Sequence, residues 1–424
     1  MGDKISFSIF QKESVLTILS ITFCILLLLA PPISLSYFTF KFQAVDFLMP
    51  VLLGIILINK WYKNWSIHYT KLLLAIIPVI LIAIFLNRQS TAINDYFEIY
   101  RIITFLMVFI FFKETYNPKW FGATWDILFV ILLIFNLFHF HNIAHFNQVV
   151  MPVYCGENNC HLTHFGLNSL FQPSTKRMLG TLANPNNNAI FFILLSIRYL
   201  PKVKWSKKEI LFFVAGLLAV LATQSRTGFI TFGIVFCANY FFSQITWKKI
   251  ILQIAGVVCI AWLFLTFNFI GDMTNNNSNY LLSLAQINVW ETSSWQIRLQ
   301  IWQELTQQFF QKPVFGHAPQ KNYFYAHHLH AENSYILWAW QYGIIGLAAF
   351  LALFLAPLKE IIQKFRSSME AKQFLLVIIT FLITSITNSP LSHTTLSLLF
   401  FIFAGIFYGQ YYHLENAVFQ QNNK

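Results

Sequence analysis

The sequence predicts an all-α polytopic membrane protein of about twelve transmembrane helices, with a large external loop between the ninth and the tenth. Three observations predict it. Of 424 residues 57% are hydrophobic and only 10% charged, with a mean hydropathy of +0.58, more apolar side chain than a soluble core of this length needs. Apolar runs of about 17–22 residues, the length that crosses a hydrocarbon layer about 30 Å thick, recur along the whole chain. Most of the 28 Lys and Arg residues fall in alternate connections between those runs, as expected when basic flanks stay on the cytoplasmic side.

Taken in order, the first run, 14–34, comes after a charged segment and is too long for the apolar stretch of a cleavable signal, so it is expected to be retained as a span. Runs 45–59, 70–87, 97–112 and 122–141 come next, with short connections. Runs 185–200, 208–223, 227–244 and 250–269 form a second group, and 332–356, 373–388 and 391–410 close the chain. The whole of 1–424 therefore reads as one integral membrane domain. Two external segments, 142–184 and 270–331, are long enough to do more than turn the chain, and functional groups are sought there and at the span ends beside them.

The net charge of +12 is a consequence of topology and gives no nucleic-acid footprint. There is no P-loop and no GxGxxG, so nucleotide chemistry has no sequence support and no cofactor is expected. Cys24, Cys237 and Cys259 sit inside spans as small apolar fillers. Cys155 and Cys160, in CGENNCHLTH, face the oxidising side and are expected to close a local disulfide. A zinc site with His161 and His164 is the sharper alternative, but the spacing matches no established metal pattern, and no metal is assigned.

Polar groups gather at the external ends. Arg226, in ATQSRTGFI, stands where the chain turns between two spans, beside Gln224, Ser225, Thr227 and Gly228. An arginine there must be held in protein or pore, since lipid exposure costs several kcal/mol. Arg298 lies in SSWQIRLQIWQELTQQFF, whose Trp295, Leu299, Trp302 and Phe309 have the spacing of an amphipathic helix at the membrane surface. Arg101, a turn inside the fourth span, has Glu98 three residues earlier, the spacing of a helical ion pair. In KRMLGTLANPNNNA, Arg177 reaches the mouth of the sixth span, whose start Asn184 caps ahead of Pro185.

The densest titratable cluster is HLHAENSYILWAWQYGIIGL: His328, His330, Glu332 and then Asn333, expected to cap the tenth span. Guanidinium forks match phosphate oxygens, and a carboxylate or imidazole beside them can take a proton from a hydroxyl. Together these groups suit transfer from a lipid diphosphate.

The segments QSRTG, RLQIWQELTQQFFQKPVFGHA, NPNNNA and HAENSYILWAWQYGIIGL, in that membrane context, resemble the O-antigen polymerase and ligase superfamily of bacterial envelope glycan assembly. The resemblance covers about 175–350. It implies an inner-membrane helical bundle with both long loops periplasmic and with the site facing the periplasm. It implies metal-independent, inverting transfer of glycan from an undecaprenyl diphosphate-linked oligosaccharide to an acceptor hydroxyl. The acceptor is a growing glycan in a polymerase or lipid A-core in a ligase. A chain-length regulator and a flippase are further partners to consider beside the lipid bilayer.

By the same resemblance Arg226 and Arg298 bind the diphosphate, with Arg177, Arg101, Asn184 and Asn333 as further substrate-binding candidates, and the loop histidine is the base, here His330. Where many members have His directly before the Asn, this chain has Glu332. Either His330 is the base with Glu332 orienting it, or Glu332 has taken over. His330 is favoured because a neutral imidazole needs less tuning at neutral pH. Polymerisation is favoured over ligation, and a polysaccharide transporter or flippase is the rival outside enzymology.

Overall fold

The computed structural model describes residues 13–34, 41–64, 68–155, 167–168, 172–202, 205–242, 251, 254–255, 258, 293–327, 329, 331–364 and 368–422. The described chain is helical apart from two short antiparallel pairs, Ile33–Ser34 with Lys41–Phe42 and Leu167–Asn168 with Gln172–Lys176. The principal helices are α1 (Glu13–Leu29), α2 (Met49–Ile58), α3 (His68–Leu86), α4 (Phe97–Thr115), α5 (Pro118–His141), α6 (Pro185–Ser196), α7 (Lys207–Ala222), α8 (Arg226–Phe242), α9 (Ser293–Phe309), α10 (Ser334–Leu355), α11 (Met369–Thr384) and α12 (Thr394–Asn422).

Eleven of the twelve apolar runs thus contain a helix; the ninth, 250–269, falls almost wholly outside the described residues. Four described helices are long and apolar enough to cross a membrane: His68–Leu86, Pro118–His141, Ser334–Lys364 and Thr394–Tyr411. The remainder are shorter or more charged. α4 carries Glu98, Arg101, Lys113 and Glu114, and α6, at 12 residues, reaches only about 18 Å.

The chain divides into two compact units, 1–124 with 296–378 and 385–424, and 125–295 with 379–384. In the first, α4 and α12 lie together with Phe105 stacked on Phe401 at 4.6 Å and Phe109 edge-on to Tyr408 at 5.6 Å, and Tyr69 of α3 stacks on the same Tyr408 at 5.5 Å. Small residues permit that approach. A Cβ on Gly405 would stand 2.7 Å from the Phe109 carbonyl oxygen, and one on Gly409 2.5 Å from that of Lys113, so the GIFYG spacing sets two backbones side by side. In the second unit α6 is buried on nearly every side, as its apolar run Ala189–Leu195 requires, and Phe129, Tyr199 and Phe212 form an aromatic cluster beside it.

Segments that the charge bias assigns to one side meet one another within each unit. On the basic side, Asn117 donates to Glu13 at 3.3 Å and Tyr116 to Glu370 at 3.1 Å in the first unit. In the second, Tyr199 donates to Asp126 at 2.7 Å and Lys208 also reaches that carboxylate. At the opposite ends Asn87 donates to the Gly316 carbonyl at 3.0 Å and Ser334 N–H to that of Ser385 at 2.8 Å.

Candidate functional site

In the first unit, α9 presents Arg298, Trp302 and Leu305 on one face, three to four residues apart and therefore stacked along it. Leu305 is fully buried in a cluster with Leu329, Ala331 and Trp340. The expected apolar stripe is displaced. Leu299 is 41% exposed, and Leu305 with Ile301 takes the inward place, because what the helix packs against is Trp340 rather than a continuous apolar plane.

That packing aims Arg298 at the chain entering α10. Its Nε and Nη2 both reach Glu332 Oε2, while Trp302 Nε1 donates to the Ala331 carbonyl. On the other side Asn333 caps α10, its Oδ1 accepting from Ile336 N–H at 3.1 Å, and Ser334 N–H is held by Ser385. Glu332 itself has φ 41°, a left-handed backbone costly for a non-glycine residue. Ala331, Asn333 and Ser334, on either side of it, are each held by a hydrogen bond. The pair is open to solvent, with side chains 24% and 39% exposed.

α10 breaks at Gly343, where φ is 68° and ψ −164°. The groups freed by the break are taken up by the incoming loop. His317 N–H donates to the Trp340 carbonyl at 2.9 Å, Ala318 N–H to that of Gln341 at 2.8 Å, and Ile344 N–H to that of Pro313 at 2.8 Å. The fit excludes a side chain, since a Cβ on residue 343 would lie 2.1 Å from the Val314 carbonyl oxygen. His317 stacks on Trp340 at 4.8 Å, and its Nε2 donates to the Gln308 carbonyl at 2.8 Å. Burial, aided by nearby Lys312, holds its pKa below the ordinary histidine value against the opposing pull of that carbonyl.

The same loop is tied to the α3–α4 corner. Lys312 Nζ donates to Asn87, Gln320 Nε2 to Ser90 Oγ at 3.0 Å, and Lys321 N–H to Asp95 Oδ1 at 2.9 Å. Glu98, 3% exposed, pairs with Arg101 as its spacing predicts, and also with Lys321, Nζ to Oε1 at 2.8 Å. Nothing in the sequence singles out Lys321 or links it to a carboxylate more than two hundred positions earlier.

In the second unit, Asn184 caps α6 as expected, accepting from Asn186 N–H at 2.9 Å and Asn187 N–H at 3.1 Å. Arg177 is buried, and its guanidinium donates from Nε to the Thr223 carbonyl at 2.9 Å and from Nη2 to Asn186 Oδ1 at 3.0 Å. The segment after it is fixed by Met178 N–H to the Ala222 carbonyl at 3.0 Å and Leu179 N–H to His139 Nε2 at 3.0 Å. Arg177 therefore ties the mouth of α6 to the corner where α7 gives way to α8. Arg226 is the first residue of α8, preceded by the left-handed Gln224 and by Ser225, whose Oγ accepts from Gly228 N–H at 3.2 Å.

The structure thus brings Arg298, Glu332 and Asn333 together, pairs Arg101 with Glu98, and gathers Arg177, Asn184 and Arg226 near the ends of α6, α7 and α8. His328 and His330 lie outside the described residues, as do Cys160, His161, His164 and the side chain of Cys155. Among the described residues no three His, Cys, Asp or Glu side chains cluster in a way that could hold a metal ion. Cys24 is buried, Cys237 is exposed, and both are unbridged.

No curated protein matches the chain. Residues 211–351 match the family model described as O-antigen ligase, a span that contains Arg226, Arg298, Glu332, Asn333 and the break at Gly343.

Proposed function

With an O-antigen ligase domain at 211–351 supporting the O-antigen polymerase and ligase superfamily, whose members are glycosyltransferase-like membrane enzymes, we propose that this chain transfers glycan from an undecaprenyl diphosphate-linked donor to an acceptor hydroxyl. The observation that carries the reading is the Arg298–Glu332 pair at the cap of α10, inside the matched span. It sets a phosphate-matching fork beside a carboxylate, two residues from His330.

In this reading the whole of 1–424 is one integral domain of about twelve spans in the bacterial inner membrane, with 142–184 and 270–331 in the periplasm. The donor diphosphate takes the Arg298 fork from Glu332; Arg226, in the other unit, stays a diphosphate candidate on the family resemblance alone. His330 accepts the proton of the acceptor hydroxyl, with the released Glu332 orienting its ring. The acceptor oxygen attacks the anomeric carbon from the face opposite the diphosphate, the bond to the diphosphate oxygen breaks, and the undecaprenyl diphosphate leaves with its charge on arginine. Inversion is the outcome of a single displacement. A diphosphate is already a good leaving group, so positioning and guanidinium charge can serve without a metal. Asn184 and Asn333 act as caps, and Arg177 acts through the corner it ties.

Polymerisation of repeat units is the first reading, and ligation to lipid A-core the second, favoured by the description of the matched model. Deletion in the native host followed by gel analysis of surface glycan separates them. A single repeat unit left on the core indicates a polymerase. Loss of all glycan from the core with lipid-linked polymer retained indicates a ligase, and an unchanged glycan overturns both.

A further inference from the structure

We infer that Lys321 and Glu98 are positioning residues for the Arg298–Glu332 site: a buried carboxylate in α4, acting through one lysine, sets the path of the loop that returns to Glu332. The inference rests on the proposed transfer reaction for its consequence and on described contacts for its geometry.

Glu98 lies in the first turn of α4 and is 3% exposed, so its charge demands a partner. Arg101 supplies one from the same helix. A second cation is not needed for neutrality, yet Lys321 arrives from a distant loop with Nζ 2.8 Å from Glu98 Oε1. Its backbone is held by Asp95, which is fully buried, its Oδ2 accepting from Ala92 N–H at 2.8 Å and its Oδ1 from Lys321 N–H at 2.9 Å. Lys321 is therefore gripped at backbone and side chain by one corner, which fixes both its place and its orientation.

The residues after Lys321 carry that placement onward. Lys321 opens the short helix Lys321–Ala326, whose Phe324 meets Trp340 edge-on at 4.8 Å and whose Tyr323 lies nearly parallel to Trp340 at 6.1 Å. Trp340 Nε1 donates to Gln308 Oε1 at 2.8 Å, which couples the same ring to α9. From α9, Trp302 holds the Ala331 carbonyl and Arg298 holds Glu332. A shift of Lys321 is thus transmitted through Trp340 to both members of the site. Arg101, held by Glu98, belongs to the same support.

The test uses the full-length protein in detergent or nanodiscs, with Lys321→Met, Lys321→Arg, Glu98→Gln and the double variant Glu98→Gln/Lys321→Met. Transfer from a polyprenyl diphosphate-linked donor is measured as kcat and donor KM, beside thermal stability and amide hydrogen exchange over 296–333. Lys321→Met is expected to lower kcat about tenfold or more with donor KM within about threefold, as misplacement does, and Lys321→Arg to restore most of it. The double variant, which also leaves Arg101 without its carboxylate, is expected to regain neither stability nor kcat relative to Lys321→Met. Recovery of kcat together with stability would reduce the pair to packing. A large KM change with kcat intact would make Lys321 a substrate contact instead. Wild-type protein that transfers nothing from any polyprenyl diphosphate donor sinks the reaction reading. In that event, exchange over 322–333 unaltered by Lys321→Met overturns the positioning claim by itself, and faster exchange there upholds the geometry.

Discussion

Replacing Glu332 by Gln separates its two proposed duties, because the carboxylate occupies Arg298 and follows His330 by two residues in the chain. In the structure Arg298 Nε and Nη2 converge on one carboxylate oxygen, so a diphosphate that needs the same fork must displace it. The side chains are 24% and 39% exposed, which makes the pair a solvent-screened one worth about 0.2–1 kcal/mol rather than the larger value of a buried bridge. Glu332→Gln should therefore lower donor KM by about 1.4- to 5-fold, the same energy expressed as a ratio. The same change removes the orienting carboxylate, and kcat should fall on the order of tenfold, less than the roughly 10²–10⁴-fold expected when the base itself is lost in His330→Ala. Steady-state donor titrations on purified protein measure both constants. A donor KM that rises or stays constant refutes the competition. A dead Glu332→Gln beside an active His330→Ala would make the carboxylate the base.

Three further outcomes are expected. Gly343→Ala places a Cβ 2.1 Å from the Val314 carbonyl oxygen at φ 68°, so thermal unfolding in detergent should register a loss of more than about 2 kcal/mol; an unchanged midpoint would deny the close fit of loop and broken helix. His317, held below its ordinary pKa first by burial and then by Lys312, binds a proton less readily folded than unfolded. Its contribution is thus complete above the unfolded value near 6.5 and declines as pH falls below it, so the thermal midpoint should drop from pH 8 to pH 5, and His317→Gln should flatten that drop. Arg177→Lys cannot reproduce donation from Nε to Thr223 together with Nη2 to Asn186; lowered stability with donor KM intact supports its tying role, whereas a raised KM at unchanged stability would return it to the diphosphate ligands.

The parts of this molecule legible in its sequence are those governed by near neighbours. Asn184 and Asn333 cap α6 and α10 because a side-chain oxygen just before a span can only meet the first amides. Glu98 and Arg101 pair because a helix places i and i+3 together. The run 293–309 announces an amphipathic helix, but which face is buried depends on Trp340, and Leu299 and Leu305 look alike until that partner is known. The Lys321–Glu98 and Arg298–Glu332 pairs join positions that only the fold brings together. The break at Gly343 hides inside WAWQYGIIGL, where hydropathy runs on without interruption. The GIFYG spacing at 405–409 has the form of a close-packing signal and needs only a partner helix to give it meaning.

The broken helix bears on how this protein can change over time. Gly343 lies nine residues into α10, about 14 Å along a helix long and apolar enough to cross a membrane, where freed amides and carbonyls need partners from the protein itself. Residues 313–318 satisfy them, so that stretch of loop is bound as closely as the interior of a helix. External loops ordinarily tolerate insertions and deletions. Here a change of one residue in 313–318 would strand three backbone groups at once, and it should be as damaging as a deletion inside a helix. Length variation is thereby channelled to other connections such as 142–184, while the turn that follows α9 keeps its length.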